Sequence, residues 1–515
     1  MVEKLPKSIA CPYLRKILSA SFLAREYLLY EKSYRSYGIQ IMKRISLLLS
    51  TVCSLILLAA CSGGSSDSSS SASTSGWTWV GGSQYSGAFN YDFTAQGVGS
   101  TLNMPGARST SVSWIDKEGN FWLFGGLTEN AVTFLGDMWK YNPKIKEWAW
   151  MNGSQASNTY GSYGTQGLAA ASNSPGARIG PVAWTDTSGN LWMYGGFGYA
   201  ESGTMGTLND LWKYNTASGL WTWISGGKGI TALPMYGAKD VPSTTNTPGG
   251  IVGANGWITS DGHLWIFGGA QNSALTITYN NLWEFDPSAS TWTFRSGAGK
   301  DSSSNYLTNS AGVYGTKTVS ASTNQPGARL DAVSWLDSSN NLWFFGGNGW
   351  DSAGTSAAIL NDLWKYDTTT KQWTWMNGSN LNNAYGVYGT KGVAAAANTP
   401  GARWYRGPFA WVDALGNFWM FGADGNGASR SGLLNDWWKY NATTNQWSWM
   451  TGATEPGALP VYGTQGTFST SNQPGSRKDV IGWSDASGNL WMFGGYGPDA
   501  AGTTGYLNDL WKYSQ

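Results

Sequence analysis

Arginine and aspartate recur at matched positions of this sequence, and their spacing gives the first indication of chemistry. Five copies of a Pro-Gly-Ala-Arg or Pro-Gly-Ser-Arg motif are each followed, 29 to 33 residues after the arginine, by the aspartate of an Asp-x-Trp motif. The arginines are Arg108, Arg178, Arg329, Arg403 and Arg477, and the aspartates are Asp137, Asp210, Asp362, Asp436 and Asp509. Two hypotheses fit this pattern, namely buried ion pairs and a basic collar that binds anions.

A sixth copy of the pattern has lost both residues. Ile251 stands at the arginine position and Asn281 at the aspartate position. A buried charge without its partner is costly, so joint loss is what a buried arginine–carboxylate pair predicts. The joint loss favours structural pairs, and the collar remains the alternative.

A second group of residues breaks the repeated pattern and is a candidate ligand site. In the fifth copy, the segment after Arg403 is two residues longer than its counterparts, and the preceding copy contributes an extra tryptophan and aspartate. The candidate ligand-binding residues are Trp350, Asp351, Trp404, Tyr405, Arg406, Asp424 and Arg430. Aromatic faces with a few polar groups are typical of ligand sites, here for a sugar ring or another planar group. Local packing of a bulged strand is the alternative interpretation.

Several kinds of chemistry are disfavoured by composition. The sequence has one histidine, His263, and its three cysteines all lie at or before Cys61. Histidine-based acid–base catalysis, thiol catalysis and cysteine-ligated metals are therefore not expected, and no metal or cofactor is predicted. The net charge is +1 with 12% charged residues, which gives no basic footprint for nucleic acid. A glycosidase or lyase that uses only carboxylates stays open as an alternative function.

The motifs belong to a unit that is repeated at intervals of 70 to 78 residues. The copies begin at Pro105, Pro175, Pro248, Pro326, Pro400 and Pro474. Within the second copy, apolar runs at 179–184, 191–196, 210–215 and 220–224 are separated by polar turn clusters, which predicts four short strands. Nothing in the unit has apolar residues at helical spacing, so the predicted fold class is all-β. Such units must pack on one another, and radial packing leaves only short sheet edges.

The repeated residues resemble the kelch family. The resemblance rests on the glycine doublet Gly195-Gly196, on Tyr214 and on Trp221, together with their counterparts in the other copies. It implies a six-bladed kelch-type β-propeller with four antiparallel strands per blade and first strands around a central channel. In kelch proteins such arginines can bind acidic peptides, as the collar alternative requires. The copper site of the related galactose oxidase does not carry over, because it needs two histidines and a tyrosine cross-linked to a cysteine.

A tryptophan-rich segment that precedes the first repeat predicts how the propeller closes. Residues 77–80 read as a fourth strand with no strands before them, whereas the last copy ends after its third strand. We therefore predict that 77–80 joins the last blade, which removes an open sheet edge and gives twenty-four strands. The propeller is assigned to 77–515.

The amino-terminal residues resemble a bacterial lipoprotein signal. Residues 42–60 combine a basic start with a short apolar segment, and Leu58-Ala59-Ala60-Cys61 resembles a lipobox. The resemblance implies that Cys61 is lipidated, that 61–76 is a Ser/Gly tether and that the protein is anchored in the cell envelope, at the outer membrane or cell surface. Residues 1–41 fit neither segment and are interpreted as a non-native extension.

The connections between strands indicate which end of the fold binds a partner. The turns between strands one and two and between strands three and four are short, whereas the other two connections are long and emerge together at the opposite end. We call this the long-loop end. The predicted function is a monomeric, lipid-anchored and non-catalytic scaffold that binds a glycan, peptide or protein there. A repeated Tyr-Gly-Thr motif, such as Tyr163-Gly164-Thr165, is predicted to fold its loop back on the blade.

Overall fold

The structure is a computed structural model that describes residues 75–89, 95–128, 132–272, 274–300, 302–405 and 409–514. These residues belong to one compact unit. The predicted signal peptide, Cys61, residues 1–41 and most of the tether lie outside the described residues, and so does Arg406.

The described residues form β-strands and no helix, which confirms the all-β prediction. Within the described ranges every strand pairing is antiparallel, and the strands are arranged in six sheets of four or five strands and one three-stranded sheet. We number the six larger sheets 1 to 6 in the order of the sequence repeats. The arrangement is consistent with a β-propeller.

Each numbered sheet contains four main strands. In sheets 1 to 5 these four strands follow one another in the chain. The first strands are Val112–Ile115, Val182–Thr185, Asn255–Ile258, Val333–Leu336, Ala410–Val412 and Ile481–Ser484. The second strands are Phe121–Thr128, Leu191–Tyr194, Leu264–Phe267, Leu342–Trp350, Phe418–Asn426 and Leu490–Pro498. The third strands are Thr133–Asn142, Leu211–Asn215, Leu282–Asp286, Ala357–Asp367, Ser431–Asn441 and Thr504–Ser514. The fourth strands of sheets 1 to 5 are Glu147–Asn152, Leu220–Ser225, Thr291–Ser296, Gln372–Asn377 and Gln446–Thr451.

The fourth strand of sheet 6 comes from the other end of the described chain. Gly76–Gly81 pairs antiparallel with Thr504–Ser514, with Trp77 opposite Tyr513. The Trp77 ring packs 5.1 Å from the ring of Trp437 in sheet 5. The start and the end of the described chain therefore meet in one sheet.

Short strands extend the sheets beyond these four positions. They are Ala169–Ala170, Arg178–Ile179, Phe197–Tyr199, Met205–Thr207, Arg329–Leu330 and Arg403–Trp404. All except Ala169–Ala170 lie at the long-loop end, where they pair with or prolong second and third strands. The long-loop end is therefore a continuation of the sheets and not only a set of loops.

The turns between first and second strands are held by an aspartate. In sheet 2 the Asp186 carboxylate accepts the backbone N–H groups of Ser188 and Asn190 at 3.0 and 2.9 Å. It also accepts the indole N–H of Trp192 at 2.9 Å. Asp116, Asp337, Asp413 and Asp485 make the same contacts in other sheets. These aspartates are hairpin residues, and their fixed turns set the register of the first two strands.

Aromatic clusters fill the space between sheets that are consecutive in sequence. Five buried clusters join sheets 1 and 2, 2 and 3, 3 and 4, 4 and 5, and 5 and 6. A sixth cluster, with Phe121 of sheet 1 and Trp483 of sheet 6, joins the last sheet to the first. Their rings stack 5.2 Å apart, and the Trp483 indole donates to the carbonyl of Trp122 at 3.2 Å. Buried aromatic area of this kind dominates packing energy.

The glycine doublets allow neighbouring backbones to touch. Gly195 and Gly196 have φ values of +66° and +94°, and a Cβ on Gly195 would lie 2.8 Å from the carbonyl oxygen of Ile251. The N–H of Gly196 donates to that oxygen at 2.8 Å. In the same way, Gly495 of sheet 6 donates to Arg108 of sheet 1 at 2.9 Å. Only glycine adopts these angles at little cost, which explains the doublet.

Candidate functional site at the long-loop end

The repeated arginines and aspartates form buried, two-pronged ion pairs. Arg178 donates from Nη1 and Nη2 to the two carboxylate oxygens of Asp210 at 2.7 and 2.8 Å, and neither side chain is exposed. The same guanidinium donates to the carbonyl oxygens of Gly176 and Gly195 at 3.0 Å each. Burial opposes the charge on Arg178, but the charge and hydrogen bonds of Asp210 outweigh it and raise the pKa of Arg178. The pair ties the start of the first strand to the second and third strands.

The other four pairs repeat this geometry. They are Arg108–Asp137, Arg329–Asp362, Arg403–Asp436 and Arg477–Asp509. All ten side chains are at most 3% exposed. The arginines are therefore interior residues, and the collar hypothesis is wrong because a guanidinium enclosed in this way cannot reach an external anion.

The tyrosine of the Tyr-Gly-Thr motif completes the environment of the aspartate. The Tyr163 hydroxyl donates to Oδ2 of Asp210 at 2.6 Å, and the Trp212 indole donates to the same oxygen at 2.7 Å. Burial and the neighbouring charge of Asp210 raise the pKa of Tyr163 well above its ordinary value, so the hydroxyl stays a donor. Tyr314, Tyr388 and Tyr462 bind Asp362, Asp436 and Asp509 in the same way. The motif anchors each long connection to the sheet that follows it.

Sheet 3 replaces the ion pair with neutral groups. Ile251 is buried where the other sheets have arginine. The Asn281 side-chain amide donates to the hydroxyl of Tyr236, which is the counterpart of Tyr163. One position thus shows that the fold accepts an apolar residue plus an amide in place of the two charges.

Two of the candidate ligand-binding residues lie at the outer end of a hairpin in sheet 4. Trp350 is the last residue of its strand and pairs with Ala357. Asp351 is 2% exposed, and its carboxylate accepts backbone N–H groups of Ala353, Gly354 and Asn382 at 2.9 to 3.1 Å. This carboxylate holds two loops together and is not presented to a ligand.

The remaining described candidate ligand-binding residues lie in three different places. Trp404 and Asp424 face each other across two strands of sheet 5. Tyr405 is buried in the aromatic cluster between sheets 4 and 5. Arg430 is 69% exposed at the tip of the next hairpin, 3.6 Å from Glu455. Of the described candidates, only Trp404 and Asp424 are brought together.

The strand register aligns six sets of buried and half-buried residues that the sequence patterns alone do not reveal. In each sheet the residue after the arginine position pairs with one residue of the second-strand region, which pairs in turn with one of the third. The first positions are Ser109, Ile179, Val252, Leu330, Trp404 and Lys478. The second positions are Leu127, Phe197, Ala270, Asn348, Asp424 and Tyr496. The third positions are Phe134, Thr207, Thr278, Ile359, Leu433 and Tyr506. We call these six triplets the mouth.

One part of the mouth is apolar. Ile179 and Phe134 belong to one buried cluster and Val252 and Leu330 to another, and Phe197 packs against both. These residues and Leu275 line a cavity of about 230 Å³. Apolar side chains from sheets 1 to 4 therefore surround one pocket.

The other part of the mouth is polar and aromatic. The Lys478 ammonium lies 3.2 Å from Oδ2 of Asp424 and 5.3 Å from the centre of the Trp404 ring. Tyr496 and Tyr506 stack edge to face with ring centres 5.2 Å apart. A cation over an indole beside a carboxylate is suited to bind polar or charged groups of a ligand.

A chain of backbone hydrogen bonds lies just inside the mouth. Gly180 donates to Thr110 at 3.3 Å, Gly253 to Gly180 at 3.1 Å and Asp331 to Gly253 at 2.7 Å. The chain continues to both sides, from Thr110 to Asp479 at 3.1 Å and from Tyr405 to Asp331 at 2.7 Å. It links consecutive sheets and narrows the opening.

Beyond this chain lies a larger cavity of about 460 Å³ among the first strands. Its walls include one small residue from each first strand, namely Ser113, Ala183, Gly256, Ser334, Ala410 and Gly482. These residues are small, and Gly180 and Asp331 line both this cavity and the apolar pocket.

Comparison with protein-family models and with curated proteins gives no match to this sequence. Within the described ranges, no helix is long and apolar enough to cross a membrane. The same residues contain no group of three or more His, Cys, Asp or Glu side chains placed to hold a metal ion. The site must therefore be interpreted from its own geometry.

Sequence reasoning missed Lys478, Tyr496 and the residues of the apolar pocket. The signal was present at the position directly after the arginine, which reads Ser, Ile, Val, Leu, Trp and Lys in the six copies. A position that varies so widely inside a repeated frame does not take part in the packing that all six copies share. Comparing the copies position by position would have singled it out.

Proposed function

We propose that this protein is a monomeric, lipid-anchored and non-catalytic binding scaffold of the cell envelope, which binds a glycan, peptide or protein through the mouth. The proposal includes a six-bladed kelch-type β-propeller, closed by the strand Gly76–Gly81 in the last blade. It also includes an anchor at Cys61, for which the lipobox-like sequence is the support.

Three sets of contacts support the six-bladed ring. Aromatic clusters join each sheet to the next and sheet 6 to sheet 1. First strands contact first strands in the same cyclic order, including Val112–Ile115 with Ile481–Ser484. The inner hydrogen-bond chain runs through the same sheets. Radial packing of this kind leaves each blade with two neighbours and no long exposed edge.

The contrast between the ion pairs and the mouth carries the proposal that this surface binds a partner. Arginine is present in five of the six copies, and the next residue is different in all six. The ion pairs position the mouth on a rigid frame, and rigid frames that present variable side chains are typical of binding proteins. Packing alone would favour similar residues at equivalent positions.

The binding proposal is tested with the full chain in detergent micelles, screened on a glycan array and against a random peptide library. We expect a ligand whose affinity falls about tenfold or more in Lys478→Ala or Trp404→Ala, because each removes a polar or aromatic contact of the mouth. Leu415→Ala is the matched control, since Leu415 is 88% exposed in a turn at the opposite end.

Equal loss in the control, or no loss in the mouth variants, contradicts the proposed site. Chemical turnover of a bound glycan would instead indicate the carbohydrate-active alternative. Labelling of cells with radioactive palmitate tests the anchor, and Cys61→Ser should abolish incorporation. An experimental structure that shows another number of blades contradicts the proposed ring.

A further inference from the structure

We infer that the ligand of the mouth is a protein or peptide that inserts one apolar side chain into the apolar pocket that sheets 1 to 4 surround. This inference rests on the proposed function and narrows its ligand class. It depends on the composition of the pocket wall, the size of the pocket and the groups beside it.

The wall of the pocket is apolar. Phe134, Ile179, Val252 and Leu330 are each at most 7% exposed, and all four line the pocket. They belong to two buried clusters that both contact Phe197. Phe197 and Leu275 are half-buried and form the rim. A ligand that covers these half-buried apolar side chains removes them from water, which favours binding.

This wall disfavours a sugar as the occupant. Hydroxyl groups that enter an apolar pocket lose hydrogen bonds to water, and each group left without a new partner weakens binding. Among the described residues, the polar side chains that line the pocket are those of Thr110 and Asp331. The Thr110 hydroxyl already donates to the carbonyl of Ser109 at 2.7 Å. A ring or branched aliphatic group therefore fits this chemistry better than a pyranose.

The volume identifies the size of the inserted group. A cavity of about 150 Å³ lined by Leu, Ile and Phe is large enough to bind benzene. The pocket measures about 230 Å³, which accommodates one large apolar side chain. Sites for whole drug-sized molecules usually measure about 300–1,000 Å³. The pocket is therefore sized for a single anchor of a larger partner.

The surroundings complete the argument for a polypeptide. Lys478, Asp424 and Trp404 lie at the other part of the mouth, where they offer a cation, a carboxylate and an indole. A polypeptide carries polar backbone and charged side chains next to an apolar anchor, so it can use both parts at once. Central apolar anchors with a polar surround are the usual pattern of protein interfaces.

The test uses the full chain in detergent micelles, a phage-displayed random peptide library and a glycan array. We expect enriched peptides to share one Leu, Ile, Met, Phe or Trp residue at a fixed position. Their affinity should fall about tenfold or more in Phe197→Ser and in Leu275→Ser. Replacement of the shared apolar residue by Ser in a synthetic peptide should cause a similar loss.

The controls distinguish this inference from the proposed function. Leu415→Ser should leave peptide binding unchanged, because Leu415 lies at the opposite end. Thermal unfolding of each variant shows whether it is folded, and Leu275→Ser changes only a half-buried loop residue. Should one rim variant fail to fold, the serine-substituted peptide still decides.

Three outcomes overturn the inference. Peptides that bind without an apolar consensus, or that respond only to Lys478→Ala, contradict the anchor pocket and leave the proposed function intact. Selective binding of a glycan, with no enriched peptide, also leaves the mouth as a binding site but refutes the polypeptide ligand. Absence of any ligand that depends on mouth residues contradicts both.

Discussion

Arg178 and Asp210 face each other through two parallel hydrogen bonds of 2.7 and 2.8 Å, with neither side chain exposed to solvent. Such a pair is stable only while both partners are present, because the enclosed charge of one cannot be hydrated when the other is removed. Sheet 3 offers a natural comparison, since Ile251 and Asn281 occupy the equivalent positions without charge.

The first prediction concerns substitution of one or both members of this pair. Asp210→Asn leaves the guanidinium buried without a counter-ion and should lower the free energy of unfolding by about 3–5 kcal/mol. The double variant Arg178→Ile with Asp210→Asn reproduces the combination of sheet 3 and should recover most of that loss. Denaturant unfolding of the four proteins in a double-mutant cycle measures the coupling.

The result that contradicts this prediction is simple additivity. If the two single losses add in the double variant, the pair is not energetically coupled. Lys117→Ala is a suitable reference, because Lys117 and Glu118 are exposed and 3.8 Å apart. An exposed pair of this kind is worth about 0–1 kcal/mol.

The second prediction concerns the anchoring of the long connections. Tyr163→Phe removes the hydrogen bond to the Asp210 carboxylate, which should lower the free energy of unfolding by about 1.5–3 kcal/mol. Amide hydrogen exchange in residues 152–174 should become faster, because the loop loses its attachment to sheet 2. Tyr160→Phe, at a residue that is 60% exposed three positions earlier, should leave both measurements unchanged. Equal exchange in the two variants would show that the hydroxyl is not the anchor.

The third prediction concerns the strand Gly76–Gly81. Trp77 is 4% exposed and contacts the rings of Phe421, Trp437 and Trp511. Trp77→Ala should lower the free energy of unfolding by about 3–5 kcal/mol through the cavity that it creates. It should also promote aggregation on heating, because the strand Thr504–Ser514 then loses its cover and presents an edge.

Thermal unfolding and light scattering measure these two effects. Leu102→Ala is the control, since Leu102 is 77% exposed. A Trp77→Ala protein as stable as the control would mean that sheet 6 holds without its fourth strand.

The fourth prediction concerns His263, the one histidine of the sequence. Its Nδ1 lies 2.6 Å from Glu284 Oε1 and its Nε2 lies 3.9 Å from Asp286 Oδ1, with Asp261 also nearby. Burial disfavours the charged imidazole, but the hydrogen bond to Glu284 and the three carboxylate charges outweigh it and raise the pKa of His263. Arg295, on the other side of Glu284, stabilises that carboxylate.

The raised pKa fixes the direction of the pH effect. The folded protein holds the proton of His263 more tightly than the unfolded chain does. The charged imidazole therefore stabilises the fold, and this contribution is fully present below the unfolded pKa of about 6.5. It is lost as the pH rises through the raised folded pKa. The stability difference between the wild type and His263→Gln should therefore be larger at about pH 5 than at about pH 9.

Titration of the imidazole by NMR gives the pKa directly, because no second histidine overlaps its signals. Glu284→Gln should bring the pKa of His263 back toward its ordinary value. An unshifted pKa in the wild type would contradict the prediction.

The sequence was a good guide to the fold wherever a residue repeats for a packing reason. Joint loss of arginine and aspartate in one copy pointed to the Arg178–Asp210 type of pair, because electrostatics penalises a lone buried charge wherever it lies. The candidate ligand site was less predictable than the ion pairs. Asp351 looked available for a ligand, but its carboxylate accepts backbone N–H groups of its own turn and that of Asn382, 31 residues later. Tyr405 looked available as well, but its ring is part of the buried cluster between sheets 4 and 5.

The mouth depends on pairing between residues that are 7 to 20 positions apart in sequence, such as Leu127 with Phe134 and Trp404 with Asp424. Local propensity does not determine that register, since it follows from how far each hairpin extends past its glycine doublet. The apolar pocket adds a further step, because its walls come from four different sheets. Contacts of that kind follow from the assembled fold and not from any one repeat.

The pairing of Trp77 with Tyr513 has a consequence for how the molecule is made. A ribosome delivers the amino-terminal strand of the unit long before it delivers that strand's hydrogen-bonding partner, so the two cannot associate while translation is in progress. Such distant pairing slows folding and leaves an apolar intermediate exposed. Two indoles, Trp77 and Trp79, therefore remain unburied until the last residues emerge, and we expect newly made chains to need a holding chaperone during that interval.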